Sequence, residues 1–188
     1  ITNNKKLYER ARILSLHGMD KAAWNRYGKK GYRHYDVSEV GYKYNLMDIL
    51  SSIGIEQLKK INKNHKIREK IWDLYNINFE KLDFRIPGKF NKKIFKHAYH
   101  LYNIFLDKKL DKNRDKLILY LHKKRIGVGI HYRSIPEHSI YRKLFNWKIN
   151  DYPNAKKIGR ETISLPLSPA LKLKDINKVI KAVKNFID

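Results

Sequence analysis

The chain has 188 residues, a mass of 22.5 kDa and a formal net charge of +24. With 42% hydrophobic and 12% aromatic residues it can build a packed core, which excludes a wholly disordered chain despite 32% charged residues. It has no cysteine, hence no disulfide, thiolate metal site or cysteine nucleophile, and no apolar run nears the ~18–20 residues that cross a bilayer.

A balance this basic favours polyanionic partners. The basic residues run from Lys5 to Lys184 without a dense block, and lysine outnumbers arginine 31 to 11. Readers of nucleic-acid bases lean on arginine for bidentate contacts, so a nucleic-acid or anionic-surface module is the alternative to an enzyme, not the first expectation. The absence of cysteine and of a signal-like apolar segment fits a cytoplasmic setting.

In chain order, residues 5–16 predict a helix with Leu7, Ala11 and Leu14 on one face, stopped by Gly18. Residues 19–40 are polar and tyrosine-rich and read as an ordered loop anchored by Trp24, Tyr27, Tyr32 and Tyr35. A long helix is predicted over 46–75, where Ile49, Leu50, Ile53, Leu58, Ile61, Ile71, Leu74 and Tyr75 recur at helical spacing. Gly54 inside it implies a close packing contact. Residues 84–95 read as a connection.

Residues 98–106 predict a strand covered on both faces, 114–124 a helix with Leu117, Ile118 and Leu121 inward, and 126–132 a second strand. After a long crossover come a short strand over 161–165 and a helix over 175–187 that carries Ile176, Val179, Ile180, Val183 and Ile187 on one face. The expected class is α/β, with a small layered unit in the second half.

Five stretches stand in fixed order: Leu16-His17-Gly18; Gly41-Tyr42-Lys43-Tyr44-Asn45 with Asp48-Ile49; His97-Ala98-Tyr99-His100-Leu101-Tyr102; Gly127-Val128-Gly129-Ile130-His131-Tyr132; and Ser164-Leu165-Pro166-Leu167-Ser168-Pro169. Together they resemble the DegT/DnrJ/EryC1/StrS nucleotide-sugar aminotransferases, over the C-terminal half of the family's length. Gly-Tyr-Lys-Tyr-Asn with His131-Tyr132-Arg133 looks most like members that aminate C4 of UDP-4-keto sugars for lipid A or pseudaminic acid precursors.

The resemblance implies the C-terminal portion of a pyridoxal-phosphate-dependent transferase of the type I fold. It divides the chain into 1–78, the end of the large domain with an interface loop and the long connecting helix, and 79–188, a small α/β domain. It implies pyridoxal 5′-phosphate as cofactor and a nucleotide-sugar substrate for surface polysaccharide or lipopolysaccharide synthesis. The implied partner is a second copy, or a separate polypeptide that supplies the missing N-terminal half. Lys43 or Asn45 contacts the cofactor phosphate, Lys43 as a point charge or Asn45 through its amide. Tyr42, His131 and Tyr132 are the implied substrate-binding residues. His17, His97 and His100 read as structural, and no metal ligands are implied.

The family's Schiff-base lysine precedes a Gly-Gly pair that this sequence lacks, so no catalytic residue is assigned and the isolated chain is expected to be inactive. Three positions depart from the family pattern. Pro136 replaces a histidine, Arg125 replaces a helix-ending glycine, and Lys172 replaces a Ser or Thr cap. They also fit a non-functional remnant.

Overall fold

The computed structural model describes residues 1–19, 27–28, 31–32, 36–106 and 113–187. The chain forms two compact units, Ile1–Lys59 and Lys60–Asp188, and the boundary falls inside one helix.

In the first unit, α1 (Lys5–Ser15) starts at Asn4, whose side chain accepts hydrogen bonds from the Lys6 and Leu7 amides and so satisfies two of the free donors at a helix start. It ends as expected, with His17 and Gly18 at positive φ. β1 (Tyr27–Gly28) and β2 (Gly31–Tyr32) pair antiparallel inside the segment read as a loop. The expected anchors Trp24 and Tyr35 lie outside the described residues.

α2 (Asp48–Phe79) is the predicted long helix, extended by four residues beyond Tyr75. Its apolar residues divide along its length. Ile71, Trp72, Tyr75 and Phe79 are buried, whereas Ile49 is 73% and Leu58 67% exposed. The expected close contact at Gly54 is not found: among the described residues nothing outside its own helix backbone lies within 4 Å of where a Cβ would stand.

The second unit is built around an antiparallel pair, β3 (Tyr102–Phe105) with β4 (Thr162–Leu165), in the register Tyr102↔Leu165, Asn103↔Ser164, Ile104↔Ile163, Phe105↔Thr162. Arg85 bridges to Phe105 on the outer edge of β3 and Gly129 to Ser164 on the outer edge of β4. The two strand predictions were too long. Tyr99 has φ 48°, which breaks the extended run before Tyr102, and Asn103 and Phe105 are half-buried, so only one face of β3 is fully covered. Residues 126–132 touch the sheet through the single Gly129 bridge.

The core closes between the buried end of α2, β3, β4, α3 (Arg114–Lys123) and α6 (Leu173–Ile187). Leu117 and Leu121 of α3 face Ile176, Val179, Ile180 and Val183 of α6 in this cluster. Two tyrosines bury rings and still satisfy their hydroxyls: Tyr75 donates to Pro166 O at 2.8 Å and Tyr102 to Asn76 Oδ1 at 2.8 Å.

The crossover contains helix that the sequence reading missed, α4 (Ser139–Phe145) and α5 (Pro153–Glu161), each preceded by a short 3₁₀ turn. α4 has no buried residue, and Tyr141, Phe145 and Trp147 stack on one another beside Tyr152. At the start of α6, where Lys172 has no capping oxygen, Asp175 makes the reciprocal half of a capping box: its Oδ2 accepts from the Lys172 amide at 3.1 Å.

Candidate cofactor and substrate site

Two motifs separated by more than twenty residues meet in the first unit. The Tyr42 amide donates to Leu14 O at 2.6 Å, the Tyr44 amide to Ser15 O at 2.9 Å, and the His17 amide to Tyr42 O at 2.9 Å. Leu16 and Lys43 form an antiparallel bridge. The glycines explain the motifs. A Cβ on Gly41 would stand 2.1 Å from Gly18 N, and one on Gly18, at φ 73°, would stand 1.7 Å from Glu39 O. No side chain fits either place.

Extended backbone alternates its side chains. Tyr42 and Tyr44 therefore share one side, with rings stacked at 5.0 Å and 4°. Lys43 and Asn45 share the other. Lys43 is exposed, Asn45 is half-buried, and neither side chain has a hydrogen-bond or ion-pair partner among the described residues. A cation and an amide donor, two residues apart and uncommitted, fit a phosphate group.

In the second unit two motifs and the strand that follows a third bring together Asn103, His131 and Ser164. Ser164 Oγ donates to Asn103 Oδ1 at 2.5 Å, His131 Nδ1 lies 2.7 Å from Ser164 Oγ, and Asn103 Nδ2 donates to His131 O at 3.4 Å. Ser164 is 4% exposed. Gly129 makes room for the imidazole: a Cβ there would stand 2.7 Å from His131 Cε1. Tyr132 stands edge-on to the His131 ring at 4.8 Å and is 72% exposed. His131 and Tyr132 are thus brought together, as are Tyr42, Lys43 and Asn45, each group within its own unit. The sequence reading missed Asn103 and quoted Ser164 only as part of a motif. The signal for Asn103 was a lone amide in an otherwise apolar alternating run.

His65 and His97 are tied to each other and to Tyr99. The Tyr99 amide donates to His97 Nδ1 at 2.9 Å and His65 Nε2 donates to His97 O at 2.7 Å. Burial, with the nearby His65, lowers the His97 pKa. A cleft of about 440 Å³ lies beside the His131 segment, lined by Arg114, Asp115, Ile130, Arg133, Glu137, Gly159 and Arg160. Its charges are largely stitched together. Arg114 donates to Gly159 O at 2.7 Å and to Asp115 at 2.9 Å, Arg160 to Glu137 at 2.7 Å, and Ser134 Oγ to Glu137 at 2.8 Å. Burial pushes the Glu137 pKa up, but the hydrogen bonds from Arg160 and Ser134 outweigh it and hold the carboxyl below its ordinary value.

Residues 1–184 match the DegT/DnrJ/EryC1/StrS aminotransferase family. The chain belongs to that family. Among its DegT/DnrJ/EryC1/StrS relatives, the spore coat polysaccharide biosynthesis protein SpsC of Bacillus subtilis is 37% identical over 99% of this chain and 48% of its own length. The UDP-4-amino-4,6-dideoxy-N-acetyl-beta-L-altrosamine transaminase of Campylobacter jejuni is 33% identical over 93% of this chain and 44% of its own. Among solved structures, Helicobacter pylori PseC, an aminotransferase involved in the biosynthesis of pseudoaminic acid, superposes with a TM-score of 0.81 at 26% identity, covering 99% of this chain and 47% of its own. The chain spans about half the length of the curated relatives it matches. Its mixed helix-and-strand fold is that of the corresponding part of these sugar aminotransferases.

Proposed function

We propose that this chain contributes the C-terminal half of a pyridoxal-phosphate-dependent aminotransferase. That enzyme moves an amino group, from glutamate, to a nucleotide-linked 4-keto sugar for surface polysaccharide or lipopolysaccharide synthesis. The family match over residues 1–184 carries the reading, and relatives that act in spore coat polysaccharide synthesis and on a UDP-linked amino sugar support it.

Pyridoxal phosphate, when bound, supplies the carbonyl and the electron sink for amino transfer. The residues of this chain bind and orient. Lys43 offers a point charge and Asn45 an amide N–H to the cofactor phosphate from the shared edge of their extended segment. Tyr42, His131 and Tyr132 offer ring faces and hydrogen-bonding groups to the nucleotide sugar. None of the lysines here is assigned the anchoring role, so the isolated chain does not turn over.

The test is co-expression with a polypeptide that carries the anchoring lysine, followed by an assay of amino transfer from glutamate to a UDP-4-keto sugar. The paired halves are expected to be active and the chain alone inactive. Lys43→Ala or Asn45→Ala in the pair is expected to weaken cofactor retention roughly tenfold, the effect of losing one charge-assisted hydrogen bond. Turnover by the chain alone would overturn the reading.

A further inference from the structure

We infer that Asn103 and Ser164 are positioning residues that hold His131 as its Nδ1–H tautomer and so present Nε2 as a lone-pair acceptor. The argument counts protons. The His131 carbonyl can only accept, so the Asn103 group facing it at 3.4 Å is the Nδ2 amide. That turns Asn103 Oδ1 toward Ser164 Oγ, 2.5 Å away, and Oδ1 also can only accept. The single hydroxyl proton of Ser164 is therefore spent on Asn103. The short contact of 2.7 Å between Ser164 Oγ and His131 Nδ1 then requires the proton to sit on Nδ1.

The ring of bonds closes on itself, from His131 through Ser164 and Asn103 back to the His131 carbonyl. The opposite tautomer would need the Asn103 amide reversed, with two carbonyl oxygens facing each other. Ser164 is 4% exposed, so water does not replace the lost partner, and the arrangement is set before any ligand arrives. Nε2 has no hydrogen-bond partner among the described residues, and His131 is only half-buried. What Nε2 can take in its neutral state is a donor. Granted the proposed function, that donor is a hydroxyl or amide N–H of the nucleotide sugar, not an oxygen of its diphosphate. This narrows how His131 reads the substrate.

The test needs neither cofactor nor partner. Long-range proton–nitrogen correlation on the ¹⁵N-labelled chain near pH 8 reports which ring nitrogen of His131 carries the proton. Nδ1 is expected at a protonated-type shift and Nε2 at an unprotonated one. Asn103→Leu frees the Ser164 hydroxyl to donate to Nδ1 and is expected to move the proton to Nε2. Asn103→Asp keeps the acceptor and is expected to retain Nδ1–H. Ser164→Ala removes the acceptor, and the ring is expected to return to the Nε2–H form that free imidazole side chains favour; this variant serves if Asn103→Leu does not fold. A wild-type His131 protonated on Nε2, or an Asn103→Leu variant unchanged from wild type, would overturn the inference. In the paired enzyme Asn103→Leu is expected to raise KM for the nucleotide sugar about three- to tenfold, one neutral hydrogen bond, with the KM for glutamate unchanged. If the pair has no aminotransferase activity while the tautomer stands, the proposed function fails and the positioning roles survive.

Discussion

Glu137 is one residue whose charge state matters to stability. Its carboxylate is nearly buried and accepts from both Arg160 and Ser134, and these bonds hold its pKa below the ordinary 4.5. A depressed carboxyl pKa stabilises the fold above the unfolded-state value, and that contribution is lost as pH falls through the folded value. Glu137→Gln is therefore expected to cost about 1 kcal/mol at neutral pH, discounted because Arg160 is partly exposed, and to flatten the acid limb of stability below about pH 4.5. Urea unfolding of both proteins from pH 3 to pH 7 checks it. The same scale shows what the sequence could reveal of the site. Tyr42, Lys43, Asn45, His131 and Tyr132 stood inside recognisable motifs. Asn103 did not, because its role exists only through a strand register that pairs it with Ser164.

Among the elements, helices with one apolar face were legible because a face of i, i+3, i+4 residues has a single stable reading, as in α6. Strand extents were less so. Local sequence cannot foresee that Tyr99 turns to positive φ or that only Gly129 of its segment reaches β4. α4 escaped detection because it is only seven residues long, under two turns, too short for its Ile140–Leu144 and Tyr141–Phe145 pairs to stand out as a periodic face. The end of α3 is the clearest departure. The Ile126 amide donates to Leu121 O at 3.0 Å and the Arg125 amide to His122 O at 2.9 Å, a Schellman closure that puts Arg125 at φ 57°. Glycine takes that conformation without cost. Arg125→Gly is expected to stabilise the protein by roughly 0.5–1 kcal/mol, read as a higher denaturation midpoint with unchanged m-value.

For the whole molecule, charge is the dominant feature. A net charge of +24 on 188 residues repels itself in any compact state. Salt is therefore expected to stabilise this chain. Raising sodium chloride from low to roughly 0.3 M, where the screening length is about 6 Å, is expected to raise Tm by roughly 2–4 °C, equivalent to about 1 kcal/mol for a chain of this size. Calorimetry at two salt concentrations checks it; a Tm that falls with salt would mean that ion pairs such as Lys92 with Glu69 and Asp73 outweigh the repulsion.

The contact between Gly18 and Gly41 has a consequence for descent. A side chain on Gly41 would fall on the Gly18 and His17 backbone, and one on Gly18 would fall on the Glu39 carbonyl, so neither position has room to vary. A single codon change at either opens the turn that aligns Lys43 and Asn45, and no later change at the other can repair it, because glycine is already the smallest residue. A lineage can vary the chemistry displayed on that edge step by step, while the fold beneath it allows no step at all.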